Sequence, residues 1–237
     1  MTDESQAIRQ AEGNRLRSAG VRPAKPRDAA TLFIIRRDGP KPRVLMGKRH
    51  GGHDFMPNLW VFPGGRIDKA DFSAPYATDL APEVAGKFTA HIPLRKARAL
   101  GLAAIRETFE EAGLLLGQPV EPRPVAGPWR DFLAHGAAAD LEALSIVYRA
   151  VTPPSLAKRY DTWFLMADAE RLTSLERQPD CGELEEIAWF EFTDALELKL
   201  PMVTRSVITE VIARLEQPQR PIPYMRFRAG PTKPRIL

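Results

Sequence analysis

Three glutamates on one short helical stretch, closed by a glycine, constrain this chain more than any other feature. In Arg106-Glu107-Thr108-Phe109-Glu110-Glu111-Ala112-Gly113-Leu114, a helical step of about 100° per residue lines up Leu102, Ile105, Phe109 and Ala112 as one apolar stripe. The stripe must pack on a core, while Glu107, Glu110 and Glu111 fall roughly opposite and are expected to face outward. Glu107 and Glu111 form an i,i+4 pair of like charge, and neither Glu110 nor Glu111 has a base four positions later. Gly113 suits a helix C-cap, which sets Glu110 and Glu111 in the last turn. There the helix dipole disfavours each carboxylate by a few tenths to about 1 kcal/mol. Such a cluster is understandable as a site for a hard divalent cation, Mg²⁺ or Mn²⁺. Taken alone, it is equally compatible with an ordinary acidic helix face.

The residues upstream add to this. Phe62-Pro63-Gly64-Gly65 follows an apolar run, 59–62, that reads as a strand. Two glycines after a strand let the backbone turn tightly and approach a ligand closely. A strand, a Gly-Gly loop and a carboxylate helix together resemble the Nudix box, the signature of hydrolases that cleave nucleoside diphosphates linked to another group. The family pattern is Gly, five residues, Glu, seven residues, Arg-Glu, an apolar residue, any residue, Glu-Glu, any residue, Gly, apolar. Its right half matches from Arg106 through Gly113 to Leu114, with Thr108 at a position usually apolar and Ala103 typical of the family. Its left half matches at Gly65, with Asp68 and Asp71 where the family commonly carries acids.

The departure is in the middle. The separation of Gly65 and Arg106 is 41 positions (106 − 65) where the family has 14, so about 27 residues are inserted. Whether Asp71 stands for the family's first Glu is left open. The inserted stretch, 72–98, carries Pro75, Pro82 and Pro93 and a predicted short helix over 82–90, an ordered excursion rather than a flexible linker. With Asp68-Lys69-Ala70-Asp71-Phe72 before it, the insertion resembles the Nudix branch related to the peroxisomal hydrolases of coenzyme A and acyl-CoA. The segment 159–164, after Thr152-Pro153-Pro154, is similar to that branch downstream of the box.

The resemblance implies an α/β fold, the Nudix α/β/α sandwich with a mixed sheet between helices, over residues 29–216. A basic N-terminal arm, 1–28, would precede it and a basic Pro-rich tail, 217–237, would follow. By position in the box, Glu107 and Glu111 would be direct metal ligands, Glu110 direct or through water, and the Gly65 carbonyl would complete the shell around Mg²⁺ or Mn²⁺. Arg106 would hold a neighbouring carboxylate in place, with an ordinary surface ion pair as the alternative. The base that activates water would be Glu107 itself or an acid from a later loop, where Asp180, Glu183, Glu185 and Glu186 stand. Lys48 and Arg49, on the strand before the box, and the backbone at Gly64 are candidate substrate contacts. His50 and His53 read as turn residues, since no Cys or third His lies nearby. Trp60, Trp163 and Trp189 read as core. The favoured substrate is coenzyme A or acyl-CoA. The alternatives are the same chemistry on ADP-ribose, nucleotide sugars or dinucleotides, or a non-catalytic ligand-binding module, against which the intact Arg106, Glu107, Glu110 and Glu111 argue.

Composition is compatible with one decorated domain: 237 residues, 44% hydrophobic, can bury a single substantial core. Strands are expected over 30–36, 43–49, 145–151, 160–166 and 187–192. Helices are expected from near Pro93 to Ala112, in one or two short pieces over 129–144, and over 201–215. The single Cys181 excludes an internal disulfide and suggests a reducing compartment. No run of about 18 apolar residues is present and the first 17 residues are polar, so a soluble, cytoplasmic protein is expected, with no membrane partner. The C-terminus lacks a peroxisomal address. A formal charge of +4 and a pI near 9.3 suit an anionic small substrate, and no aromatic-basic repeat points to nucleic acid. Pro221, Pro223, Pro231 and Pro234 keep the basic segment 220–235 from being a regular helix; it would either grip nucleic acid or substrate phosphates or, as the favoured reading, lie as an extended arm over its own domain or over a partner in a homodimer.

Overall fold

The run Leu32-Phe33-Ile34-Ile35 is apolar without alternation, as a strand covered on both faces requires. In the computed structural model, which describes residues 24–50, 58–121, 126–154, 156, 158–177, 184–226 and 235–237, this run is the centre of β1 (Arg27–Arg36), with all four side chains fully buried. Expectations for the first 23 residues, and for His53, Asp180, Cys181 and Glu183, lie outside the described residues.

Around β1 the sheet adds β2 (Arg43–Arg49), β3 (Trp60–Val61), β4 (Gly64–Arg66), β8 (Ser145–Val151), β9 (Tyr160–Asp168), β10 (Leu184–Glu191), β11 (Pro223–Arg226) and β12 (Arg235–Ile236). The order is β10-β2-β1-β9-β8-β11-β12, with β3 against β2 and β4 against β1. Strand β1 runs parallel to β9 and β11 runs parallel to β8; the other pairs are antiparallel. Strand β1 also changes partner along its length: Ala29, Ala30 and Thr31 face Arg66, Gly65 and Gly64, whereas Ile35 and Arg36 face Val44 and Arg43 of β2. That exchange seats the Gly-Gly segment directly on the sheet.

Side chains alternate between the two faces of a strand. Ala30, Leu32 and Ile34 join Phe88, Leu100, Leu102, Ile105, Phe109 and Trp163 on one side. That side carries α1 (Pro82–Thr89) and α2 (Leu94–Ala112). Phe33 and Ile35 join Val207, Ile208 and Val211 on the other, which carries α4 (Phe192–Glu197) and α5 (Met202–Glu216). The result is the expected mixed sheet between helices.

The inserted stretch is ordered. A 3-10 turn (Ala70–Phe72), β5 (Tyr76–Thr78) and α1 precede the box helix. Strand β5 pairs parallel with β7 (Ala137–Asp140), and β7 pairs antiparallel with β6 (Gly117–Pro119), forming a second sheet of three strands. The carboxylate of Asp140, fully buried, ties this sheet together. It accepts hydrogen bonds from Thr78 Oγ1 (2.5 Å), Gln118 Nε2 (2.9 Å) and Arg171 Nη2 (2.6 Å). Burial works against its charge, but those bonds prevail and hold it below the usual carboxylate range.

Several sequence expectations need correcting. In 129–144 only α3 (Arg130–Ala134) is α-helical, and the alanines 137–139 form a strand because pairing on both sides overrides their helix propensity. Phe192 opens a helix rather than ending a strand. Within the Pro-rich tail, β11 adds to the main sheet, with Pro223 at its first position, where a missing N–H is tolerated. Among the described residues no helix is long and apolar enough to cross a membrane.

Candidate active site

The box helix α2 follows Pro93, whose backbone is extended (ψ 144°), and stops at Gly113, whose φ of 67° is one that only glycine adopts without strain. The Gly113 N–H donates to the Phe109 carbonyl at 2.8 Å, and Arg177 Nε donates to the Ala112 carbonyl at 2.8 Å. A cation therefore does sit at this helix C-terminus, where the dipole favours it. Its source, 65 residues downstream, gave no local signal.

The acids do not simply face outward. Besides the stripe that packs on the main sheet, a second side of α2 packs against β4 and the 3-10 turn, so Glu111 is 6% exposed and Arg106 only 5%. Glu111 Oε2 accepts the Gly64 N–H at 2.8 Å. The Glu107 carboxylate lies over the α-carbon of Gly65, where a Cβ would come within 2.4 Å of it, and a Cβ on Gly64 would come within 2.5 Å of the Ala30 carbonyl oxygen. Both glycines are thus fixed by close approach, Gly64 to the sheet and Gly65 to the helix.

Arg106 organises the cluster. Its Nε and Nη2 donate to the two oxygens of Asp71 at 2.9 and 3.1 Å, and Nη2 also donates to the Arg66 carbonyl at 3.0 Å. Its Nη1 donates to Glu107 Oε1 at 2.9 Å and to Glu110 Oε2 at 2.7 Å. Asp71, fully buried, further accepts Trp129 Nε1 at 2.9 Å and the Asp68 N–H at 2.7 Å. Asp71 is therefore the counter-charge that fixes Arg106, and it stands six positions after Gly65, with five residues between, as the family pattern spaces its first acid. The surface-pair alternative for Arg106 is overturned by its burial. The count of bases four positions after Glu110 missed Arg106, which sits four positions before it. Trp129 was missed as well, although a buried indole N–H needs an acceptor.

Electrostatics follow from this packing. Burial opposes the Arg106 charge, but hydrogen bonding to Asp71 and the charges of Glu107, Asp71 and Glu110 outweigh it and raise its pKa. Burial pushes the Glu110 carboxyl up; Arg106 pulls it back, and the charges of Glu107 and Asp71 push it further up. The Glu107 and Glu110 side chains keep 18% and 37% exposure, so an ion from solvent can reach them. The donor set, three carboxylates and the backbone oxygen at Gly65, is all hard oxygen, and the absence of a side chain at Gly65 is what lets the Glu107 carboxylate lie over it. These residues suit Mg²⁺ or Mn²⁺ in donor chemistry. As the side chains are placed, no group of three His, Cys, Asp or Glu among the described residues already has ligand geometry, so Glu107 and Glu110 would have to turn from Arg106 toward the ion.

The remaining candidates are held by other partners. Lys48 on β2 pairs with Glu186 on β10, and His50 Nε2 lies 3.2 Å from Glu185 Oε1. The Arg49 backbone bonds to Leu59 and Asn58 across the start of β3. Trp163 is core, whereas Trp60 and Trp189 are half-buried, stacked edge-on against Phe190 and beneath Arg36 respectively.

A crystal structure of a NUDIX hydrolase from Alicyclobacillus acidocaldarius superposes with a TM-score of 0.61 at 28% identity, covering 80% of this chain and 92% of that one. The acyl-coenzyme A diphosphatase NUDT19 of Gallus gallus is 34% identical over 134 residues, 43% of this chain and 35% of that protein. Its Xenopus laevis counterpart is 35% identical over 99 residues, 32% of this chain and 26% of that protein. The chain thus spans between about a quarter and a third of the length of these curated relatives. No family model matches it. The fold is that of the Nudix hydrolases.

Proposed function

We propose that this chain is a metal-dependent diphosphatase that hydrolyses the diphosphate linkage of a nucleoside diphosphate derivative, with coenzyme A or acyl-CoA as the favoured substrate. The observation that carries this reading is the joint between the Gly-Gly segment and the box helix. There Glu107 and Glu110 bond one buried guanidinium, Glu111 bonds the Gly64 amide, and the two glycines are sterically required. The similarity to acyl-coenzyme A diphosphatases supports the choice of substrate.

In this reading Glu107, Glu110, Glu111 and the Gly65 carbonyl hold Mg²⁺ or Mn²⁺. When bound, the ion neutralises diphosphate oxygens and lowers the pKa of a water molecule. Arg106, fixed by Asp71, anchors Glu107 and Glu110 beside the site before the ion is bound and favours the ionised form of Glu110. The Gly64 amide fixes Glu111, and the backbone there lets the diphosphate approach. Glu107, partly exposed beside the cluster, is our candidate to take the proton from water. Lys48 and Arg49 would meet substrate phosphate from β2, which for Lys48 requires exchanging Glu186 for the ligand. The single Cys and the absence of a spanning helix among the described residues lead us to place the protein in the cytoplasm.

Hydrolysis within the diphosphate of coenzyme A gives 3′,5′-ADP and 4′-phosphopantetheine, leaving thiol or acyl ends intact. The test is incubation with coenzyme A, acyl-CoA, ADP-ribose, nucleotide sugars and dinucleotides, with Mg²⁺ or chelator, and product identification by mass. Mg²⁺-dependent formation of those two products supports the proposal. Free thiol from acyl-CoA, or inorganic phosphate from the 3′ position, would contradict it.

A further inference from the structure

Three basic residues in the first turns of α2 are treated differently. Lys96 Nζ lies 2.6 Å from Asp28 Oδ1, and Arg98 Nη2 lies 2.5 Å from Asp79 Oδ2. Arg95 has no carboxylate partner among the described residues. Its guanidinium carbon lies over the face of Phe72, 5.1 Å from the ring centroid. Phe72 is itself 38% exposed, and Tyr76, four residues on, is 39% exposed. Among the described residues these are the two large aromatic side chains left exposed, four positions apart at the start of the inserted stretch.

The position of Phe72 is rigid. It directly follows Asp71, whose carboxylate is locked by Arg106, Trp129 and the Asp68 amide. Consecutive α-carbons are about 3.8 Å apart, and Asp71 is one guanidinium away from Glu107 and Glu110. A ligand whose diphosphate lies at the carboxylates therefore has Phe72 within reach of its next group. Arg95 is 12 residues before Glu107 on the same helix, about 18 Å along the axis. The long Arg95 side chain thus closes the far side of this platform.

An exposed aromatic ring with an uncompensated guanidinium over it matches a flat heteroaromatic base that carries negative charge: ring and guanidinium planes stack with the base, and the N–H edge takes phosphate oxygens. We infer that Phe72 and Arg95 form the seat for the base and the adjoining phosphate of the nucleotide half, and so set specificity for an aromatic diphosphate substrate. This inference rests on the diphosphatase reading for the site it adjoins. It assigns to the inserted stretch a direct contact with substrate.

The test uses the full chain and the variants Phe72→Ala, Phe72→Tyr and Arg95→Gln, each checked by thermal melt. ADP and inorganic pyrophosphate serve as binding probes in calorimetry, and the best nucleotide diphosphate from the screen serves in kinetics. We expect Phe72→Ala to weaken ADP binding and raise KM about ten-fold, the size of one lost base stack, with kcat changed less than about two-fold. Phe72→Tyr should restore the parent values, Arg95→Gln should weaken ADP more than a non-phosphorylated adenosine probe, and pyrophosphate binding should not respond to Phe72→Ala. Unchanged ADP affinity and KM in Phe72→Ala, or equal weakening of ADP and pyrophosphate, overturns the inference. ADP binding that depends on Phe72 in a chain without diphosphatase turnover supports the seat while refuting the catalytic reading, so the two fail separately.

Discussion

Two aspartates among the described residues are completely buried, and each is held by an arginine, yet their surroundings differ in one respect. Around Asp140 the charge is settled: Thr78, Gln118 and Arg171 satisfy it, and its neighbour Glu142 lies near the same guanidinium at 3.5 Å. Around Asp71 one cation is shared more widely: Asp71, Glu107 and Glu110 all draw on Arg106, and Glu111, next on the same helix, accepts a backbone amide. The first arrangement holds three short strands together. The second uses the same device to gather the carboxylates of the candidate site at one cation. A buried Asp–Arg pair therefore says little about function until the other groups that share its arginine are named.

The largest effect that would sharpen this contrast is on turnover. Glu111→Gln keeps an oxygen to accept the Gly64 amide but removes a charge. We expect metal-dependent activity to fall by at least about 100-fold, while the metal-free protein is as stable as the parent, or more so by up to about 1 kcal/mol. Saturating Mg²⁺ should reverse that order in a melt, because the parent gains binding energy the variant largely lacks. A variant that is destabilised without metal and still active would make the cluster structural, and the contrast would dissolve.

Next in size is Asp71→Ala, which leaves Arg106 buried with its main counter-charge gone; a loss of about 3–5 kcal/mol is expected from denaturant unfolding. Asp140→Asn keeps most of the hydrogen bonds of its hub and should cost about 1–3 kcal/mol. Below its melting temperature it should leave kcat near the parent value. A large fall in kcat in this second variant, measured well below melting, would place the small sheet in the catalytic machinery and erase the distinction.

The smallest effect concerns pH. The Asp140 carboxyl is held below its ordinary value, so the stability it contributes is present above the unfolded pKa of about 3.9 and is lost as pH falls through the folded value. Glu110 has the opposite sign: its raised pKa makes the contribution complete below the unfolded value of about 4.3 and lost as pH rises through the folded one. Glu110→Gln should therefore gain stability at neutral pH relative to pH 4 in chelator, by no more than a few tenths of a kcal/mol after solvent screening. Melts of both variants across this range should slope in opposite directions. Slopes of the same sign would break the comparison.

Much of this arrangement was legible in the residues, and the failures have a common cause. Spacing along α2 identified the stripe, the C-cap and the three acids, because helical period depends only on local geometry. It did not reveal that a second side of the helix is covered, since that depends on β4 arriving from 40 residues upstream to accept Arg106 at the Arg66 carbonyl. The role of Asp71 needed the same long-range contact, and so did the partner of Trp129. The alanines 137–139 look helical until β5 and β6 pair with them. What the sequence hid, in each case, was the neighbour.

The amide of Gly64 and the carboxylate of Glu111 meet 47 residues apart along the chain, and this bond has a bearing on chain entropy. Closing a loop costs about (3/2)RT ln n, so lengthening the Gly65–Arg106 segment from 14 to 41 positions adds only about 1 kcal/mol. One fully formed core side chain of the inserted stretch, such as the buried Phe88, contributes about 1.5–3 kcal/mol in the opposite direction. A split signature is therefore no handicap to folding. The two halves of the site can be separated by a stretch that acquires its own packing, and the contacts between them need not change.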